Sequence, residues 1–231
     1  MTHATSSDQL EILRRMDRAR NYNEWLFARA EPHLGRRVLD AGAGIGTFTE
    51  LAADGREVVA LEPDPWFAER LRARFAGRAN VEVHAGDVDG FAAAGGFDSI
   101  LCFNVLEHIA DDGRALRRFY AALAPGGKLL LLVPAHPSLF GAVDEVVRHQ
   151  RRYRRQGLRT LLEWVGFHVD EVRYVNPLGA AGWLVSSRIL RRELLPERSL
   201  LLYDRLVPAL RVLDGLHLPF GLSVWAVARR P

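Results

Sequence analysis

The stretch Val38-Leu39-Asp40-Ala41-Gly42-Ala43-Gly44-Ile45-Gly46-Thr47-Phe48-Thr49 constrains the fold of this 231-residue chain more than any other. Val38 and Leu39 form an apolar pair behind Arg36 and Arg37, suited to a short parallel strand covered on both faces. Gly42, Gly44 and Gly46 then permit a sharp turn and let main-chain N–H groups approach a ligand, because no Cβ intervenes. A helix is expected from about Thr47 to Ala53, its positive end toward that ligand. A strand, a glycine turn and a helix in this order place the chain in the α/β class.

The spacing narrows the ligand. A dinucleotide site uses G-x-G-x-x-G to seat a pyrophosphate. Here the glycines fall at alternate positions, and Asp40 closes the strand just before the turn. A carboxylate there attracts a cationic group such as an amine or sulfonium and repels a pyrophosphate. Glu62, 22 positions after Asp40, ends a strand over 57–62. A carboxylate so placed can accept both hydrogen bonds of a ribose diol. Pro63-Asp64-Pro65 starts a helix over 66–75, and Val81 to Val88 alternates as a third strand ending in Gly86-Asp87. A fourth strand, Phe97 to Cys102, opens into Asn104-Val105-Leu106-Glu107-His108-Ile109. Asp112 opens an amphipathic helix, and Pro125-Gly126-Gly127-Lys128 turns into a continuously apolar strand over 129–133.

Four passages between residues 36 and 134 together resemble the class I S-adenosylmethionine (SAM) dependent methyltransferases. They are the glycine loop, the Gly86-Asp87 corner, the Phe97-Asp98 strand with its Asn-Val-Leu-Glu-His-Ile exit, and the Pro-Gly-Gly junction. The resemblance implies a three-layer αβα, Rossmann-like fold on seven strands, with SAM as cofactor and S-adenosylhomocysteine as product. It implies a cofactor site of Asp40, Gly42, Gly44, Gly46, Glu62, Pro63, Asp87, Val88, Asn104 and Val105, with Asp87 accepting from the adenine amino group. In the family an N-terminal helix often lids the pocket. The expected divisions are a helical lid over 1–35, a SAM-binding core over 36–175, a helical insertion over 176–222 and a last strand over 223–231. Tyr22 and Trp25 of the lid either touch cofactor or substrate or pack on the core.

In ubiquinone-biosynthesis O-methyltransferases, which the Glu107-His108 dipeptide resembles, a comparable Glu-x-x-Glu-His passage can hold a divalent ion. Here Asn104 stands at the first position and removes a charged ligand, so no metal is expected. His108 is a candidate general base, with a structural role as the alternative.

The run from Pro134 to Tyr153 resembles a segment of a bacterial methyltransferase subgroup, P-x-x-(aromatic)-G-x-x-D-x-x-x-x-H-x-R-R-Y. His136, Asp144, His149 and Tyr153 are the candidates for contact with the acceptor. His149 could take the acceptor's proton while Asp144 holds its second nitrogen. Alternatively Asp144 and the arginines at 151, 152, 154 and 155 form a salt-bridged cover over the pocket. Those arginines could also receive a phosphate or carboxylate, or simply be solvated.

A sixth strand is expected over 167–175 and a seventh over 221–229. The roughly 45 residues between them exceed any ordinary loop, so helices are expected over 183–195 and 200–213, after a loop from Asn176 to Trp183. The leucine-dense second helix could pack on the sheet, on a second copy in a homodimer, or on a bilayer surface. A net charge of +3 with no appended basic module argues against nucleic acid as partner. One cysteine, Cys102, excludes an internal disulfide and suits the cytoplasm. The N-terminus lacks the form of a signal peptide, and no apolar run approaches the ~20 residues of a membrane span. The expected activity is methyl transfer to an oxygen, nitrogen or carbon of a small-molecule acceptor (a natural product, sugar or lipid-linked compound). The rivals are an NAD-dependent oxidoreductase, a nucleic-acid methyltransferase and a non-catalytic or membrane-surface protein of the same fold.

Overall fold

The computed structural model describes residues 6–91, 96–192, 197–211 and 218–231. Its centre is a seven-stranded sheet of order β3-β2-β1-β4-β5-β7-β6. The strands are β1 (Arg37–Ala41), β2 (Glu57–Glu62), β3 (Val81–Ala85), β4 (Phe97–Phe103), β5 (Leu123–Pro134), β6 (His168–Val175) and β7 (Ser223–Arg229). β1 to β5 run parallel, and β7 lies antiparallel between β5 and β6.

Because side chains alternate along a strand, each central strand feeds two cores. Leu39, Val59, Ile100, Leu129 and Ala226 face one side, which α5 (Asp112–Ala122) and α7 (Arg155–Val165) cover with Leu116, Phe119, Leu158 and Leu162. Val38, Val58, Leu101, Leu130 and Trp225 face the other. That side is covered by α2 (Arg20–Ala30), α3 (Thr47–Ala52) and α9 (Glu197–Leu210). With α4 (Pro65–Arg74) seated on Ala60 and Val83 through Leu71, this is the expected three-layer architecture.

Two local expectations are corrected. Pro125-Gly126-Gly127 is not a turn ahead of a strand but an irregularity inside β5, which already pairs with Phe97 at Leu123. A Cβ on Gly127 would lie 2.8 Å from the carbonyl of Ala124 and 2.9 Å from that of Phe97, so only glycine lets the two strands meet there. The segment after Asn176 is not a loop but α8 (Pro177–Trp183). Asn176 accepts from the Gly179 N–H, and Pro177 occupies the first turn, where its missing donor costs nothing.

Most of the described residues between β6 and β7 are helical. After α8 the chain runs through a π-helical turn, Leu184–Ile189, and later α9. Leu200, Tyr203 and Val207 of α9 pack on the sheet, whereas Leu201, Leu202 and Leu206 point outward and are exposed. Residues 193–195 of the first expected helix and 212–213 of the second lie outside the described residues. α9 is tied to α2 through buried Asp204, which accepts from the Tyr22 N–H at 2.8 Å and from Asn21 at 3.0 Å. Among the described residues no helix is long and apolar enough to cross a membrane.

Candidate active site at the carboxyl edge of the sheet

In an open α/β sheet, ligands bind beyond the carboxyl ends of the strands. The glycine loop leaves β1 at that edge. Gly42, Gly44 and Gly46 all have positive φ (74°, 58° and 88°), a region that side-chain-bearing residues avoid. The expectation that their N–H groups face a ligand is corrected. Those of Gly42 and Ala43 bond to the Leu61 carbonyl, that of Gly46 to Ala43, and that of Gly44 to Oε2 of Glu62 at 2.8 Å. The glycines are required for the turn and for close packing: Leu71 and Phe75 of the α4 region crowd Gly46.

Two buried carboxylates flank the loop. Asp40 accepts from the Thr49 hydroxyl at 2.6 Å, and burial, only partly offset by that bond, pushes its carboxyl up to about 6. Glu62 accepts from the N–H groups of Gly44 and Asp64; burial raises its pKa as well. Each bonded carboxylate oxygen keeps acceptor capacity for a second donor. Pro63 is exposed beside Glu62. Asp87 lies exposed beyond β3 and caps the Gly90 N–H, with Val88 packed against the first core. Asn104, with φ 54°, and Val105 leave the end of β4 next to the loop. The carboxylates and the crowded glycine cradle fit a ribose and a cationic amino-acid tail.

Of the two readings for Tyr22 and Trp25, packing on the core is the one found. Tyr22 and Trp25 of α2 are buried in the second core, Tyr22 against Tyr203 of α9 at 6.3 Å and Trp25 under the guanidinium of Arg29. It is α1 (Ser6–Arg18) that lies on the loop. Leu13 sits 3.5 Å from the place of a Cβ on Gly44, and Asp17 accepts from the Thr47 hydroxyl at 2.7 Å. Sequence periodicity marks Leu13 only as part of an apolar face.

On the far side of Val105 the chain forms a short 3-10 turn, Leu106–His108. Glu107 there is fully buried, and neither of its carboxylate oxygens has a hydrogen-bond partner. Burial pushes its carboxyl up to about 8, against the attraction of Arg152. The segment after β5 comes back over this turn, with the Gln150 N–H bonded to the Glu107 carbonyl. His149 Nε2 thereby stands 3.7 Å from Oε1 of Glu107, and its ring meets that of His108 edge-on at 4.7 Å. Although His108 keeps an exposed surface, burial of its ring, then the neighbouring His149, pushes it down to about 4.

Asp144, at the start of α6 (Ala142–Val146), holds this segment in place. Its Oδ1 accepts from Nδ1 of His149 at 2.7 Å and from Nε of Arg152 at 2.9 Å; its Oδ2 accepts from the Gly141 N–H. Burial raises the Asp144 carboxyl, and the His149 and Arg152 contacts outweigh it, so the group rests below the ordinary carboxylate range. The His149 and Arg152 contacts thus meet on one carboxylate oxygen of Asp144. Arg152 also donates to the Ala135 carbonyl and lies over the ring of Trp183 at 4.5 Å. Trp183 Nε1 donates to Leu139, and Ser187 of the π-helical turn accepts from the Val143 N–H. Trp183 and Ser187 are supports that no local pattern announces.

One expected acceptor contact is corrected. Tyr153 is a core residue whose hydroxyl donates to Asp112 at 3.0 Å and to the Leu106 carbonyl; burial raises its pKa. His136 stacks on Tyr174 at 4.4 Å. Nor are the arginines one surface. Arg151 pairs with Asp112, Arg152 is buried, and Arg154 and Arg155 are exposed.

A family model described as a methyltransferase domain matches residues 12–172. The ubiquinone biosynthesis O-methyltransferase of Xanthomonas axonopodis pv. citri (strain 306) is 38% identical over 113 residues, 47% of this chain and 46% of that protein. The chain spans about half the length of the curated relatives it matches. Among solved structures, an S-adenosylmethionine dependent methyltransferase from Mesorhizobium loti superposes with a TM-score of 0.62. It is 20% identical, with 90% of this chain and 98% of that one covered. Phosphoethanolamine N-methyltransferase 2 of Haemonchus contortus, in complex with S-adenosyl-L-methionine, superposes with a TM-score of 0.63. It is 21% identical, over 91% of this chain and 52% of that one. The glycine cradle, the sheet order and the family match agree: the chain belongs to the class I SAM-dependent methyltransferases.

Proposed function

We propose that this methyltransferase moves the methyl group of SAM to a hydroxyl of a small-molecule acceptor. One observation carries the choice of a hydroxyl: the buried Asp144–His149 pair, aimed at Glu107 beside the carboxyl end of β4. A neutral amine attacks without help, whereas a hydroxyl must lose its proton to become a good nucleophile. SAM supplies a methyl carbon already activated on a sulfonium. A lone pair of the acceptor oxygen forms the new C–O bond as the C–S bond breaks, its electrons staying on sulfur. The hydroxyl proton leaves toward His149. Asp40 and Glu62 are assigned to the amino group and the ribose, the glycine cradle to the turn between them, and Asp87 and Val88 to the adenine edge. Asn104 and Val105 would separate cofactor from acceptor. α1 would close over the loop and exclude water, which aligns oxygen, carbon and sulfur at little further cost. The similarity to a ubiquinone biosynthesis O-methyltransferase of Xanthomonas also supports an oxygen acceptor.

The test is calorimetry with SAM and S-adenosylhomocysteine, followed by a panel of phenols, catechols and amines scored for S-adenosylhomocysteine release. Release with hydroxyl acceptors, and not with amines, is expected. Release with amines alone, at a rate indifferent to His149→Ala, overturns the assignment.

A further inference from the structure

A surface helix ordinarily turns its apolar stripe inward and its polar stripe to solvent. The helix that follows β6 does the reverse. Along α8 and the π-helical turn that continues it, Leu178, Ala181, Gly182, Val185 and Ile189 recur at three- and four-residue spacing, and all are exposed. Ile189 is 64% exposed, and Leu190 beside it is exposed as well. The polar contacts lie on the inner side. Asn176 accepts from the Gly179 N–H and from the Tyr203 hydroxyl, Trp183 Nε1 donates to the Leu139 carbonyl, and buried Ser187 accepts from the Val143 N–H. Rolling the helix to bury Val185 and Ile189 would break these bonds, so the apolar stripe is held outward.

The exposed charge around the stripe has one sign. Arg191 and Arg192 follow it directly and are exposed. On α9 the exposed pair Leu201 and Leu202 stands between exposed Arg198 and Arg205, within one helical turn of each. The two acids among the described residues of this connection are engaged elsewhere. Asp204 is buried on Tyr22 and Asn21, and Glu197 pairs with Arg18. Leucine and isoleucine flanked by arginine is the chemistry of a helix lying at a bilayer surface, apolar groups below the headgroups and guanidinium on phosphate.

We infer that this face docks on an anionic phospholipid surface, with α8 and its continuation lying in the headgroup plane. No described helix is long and apolar enough to cross a membrane, so the contact is peripheral. A second copy of the chain fits the face less well, because a symmetric pairing would set one arginine rim against another. The inference goes beyond methyl transfer and does not rest on it.

The full chain would be floated with vesicles of phosphatidylcholine alone and of phosphatidylcholine mixed with phosphatidylglycerol. Binding to the mixed vesicles is expected, about tenfold tighter than to phosphatidylcholine and weakening as NaCl is raised. Ile189→Glu, and separately Arg191→Glu combined with Arg192→Glu, should each lower that binding about tenfold. Both alter exposed positions, so melting temperature and S-adenosylhomocysteine affinity should stay as in the wild type. Flotation with neither vesicle, equal flotation with both, or binding untouched in the two variants overturns the proposal. So does a wild-type dimer that Ile189→Glu converts to a monomer, which would make the stripe a subunit interface. A chain that floats as described but ignores SAM and its demethylated product sinks the methyl-transfer reading alone.

Discussion

Val105 fills the space in which Gly42 would carry a side chain: a Cβ built there would fall 2.4 Å from Cγ2 of Val105. The turn after β1 is thus locked to the residue that leaves β4, and the edge at which cofactor and acceptor would meet is set by this contact. Gly42→Ala faces two obstacles, the overlap and a φ of 74°. It should destabilise the protein by about 1–3 kcal/mol and weaken SAM at least tenfold. A thermal melt and a calorimetric titration of the variant check both. Wild-type affinity would mean that the loop does not shape the cofactor site.

Asp40, as assigned to the amino group of SAM, should make binding pH-dependent. Burial holds its carboxyl up to about 6 in the ligand-free protein, above its ordinary value near 4. Between those values the unfolded chain releases a proton and the folded one does not. Stability therefore falls as pH rises through this window, and the penalty is complete above about 6. A cationic amino group beside Asp40 favours the ionised form, so the effect on binding has the opposite sign. SAM affinity should drop about tenfold from pH 7 to pH 5, following the ionised fraction. Asp40→Asn should bind weakly at both pH values. A flat profile in the wild-type protein would remove Asp40 from the cofactor site.

Asp144 is the counter-charge of Arg152, whose side chain is 1% exposed. Asp144→Ala strands that guanidinium and frees His149, and a buried pair broken from one side costs about 3–5 kcal/mol. Because the Asp144 carboxyl sits below its ordinary range in the folded state, its contribution is present above that range and fades as pH falls through the depressed value. The difference in melting temperature between wild type and Asp144→Ala should therefore narrow on acidification. An equal difference at pH 7 and pH 3 would contradict this ion pair.

How much of this was legible in the chain depends on the range of the pattern. The order strand, glycine loop and helix, and the carboxylates Asp40 and Glu62, follow from local spacing, and the sheet has the expected seven strands. Periodicity also marks the apolar faces of α1 and α2. It does not say against what they lie, which is why Tyr22 and Trp25 stay open in the sequence between pocket and core, and Leu13 and Asp17 are not singled out. The Pro177-Leu178-Gly179-Ala180-Ala181-Gly182 segment is read as a loop on composition, although Asn176 and Pro177 already form a helix start. The segment around Asp144 and His149 shows its chemistry but not its partners. Glu107, 42 positions before His149, and Ser187, 44 after Val143, meet this segment only through the fold.

The lid offers a prediction of its own. α1 touches the glycine loop through few groups: Leu13 over Gly44, Asp17 on Thr47, and a longer ion pair from Asp17 to Arg74 at 3.9 Å. Leu13 and Asp17 each keep part of their surface open, so this contact should break at far lower free energy than the sheet. A ligand bound between loop and lid adds contacts to the closed state only, and so shifts the population toward closure. S-adenosylhomocysteine should therefore slow amide exchange in residues 10–18 by tenfold or more, while the central strands, already protected, change little. Asp17→Ala should remove the Thr47 bond, weaken S-adenosylhomocysteine by about threefold to tenfold, as expected of one ordinary hydrogen bond, and abolish the ligand-induced protection of α1. If α1 exchanges at the same rate with and without the ligand, it is a fixed part of the fold, and closure over the pocket must come from another segment.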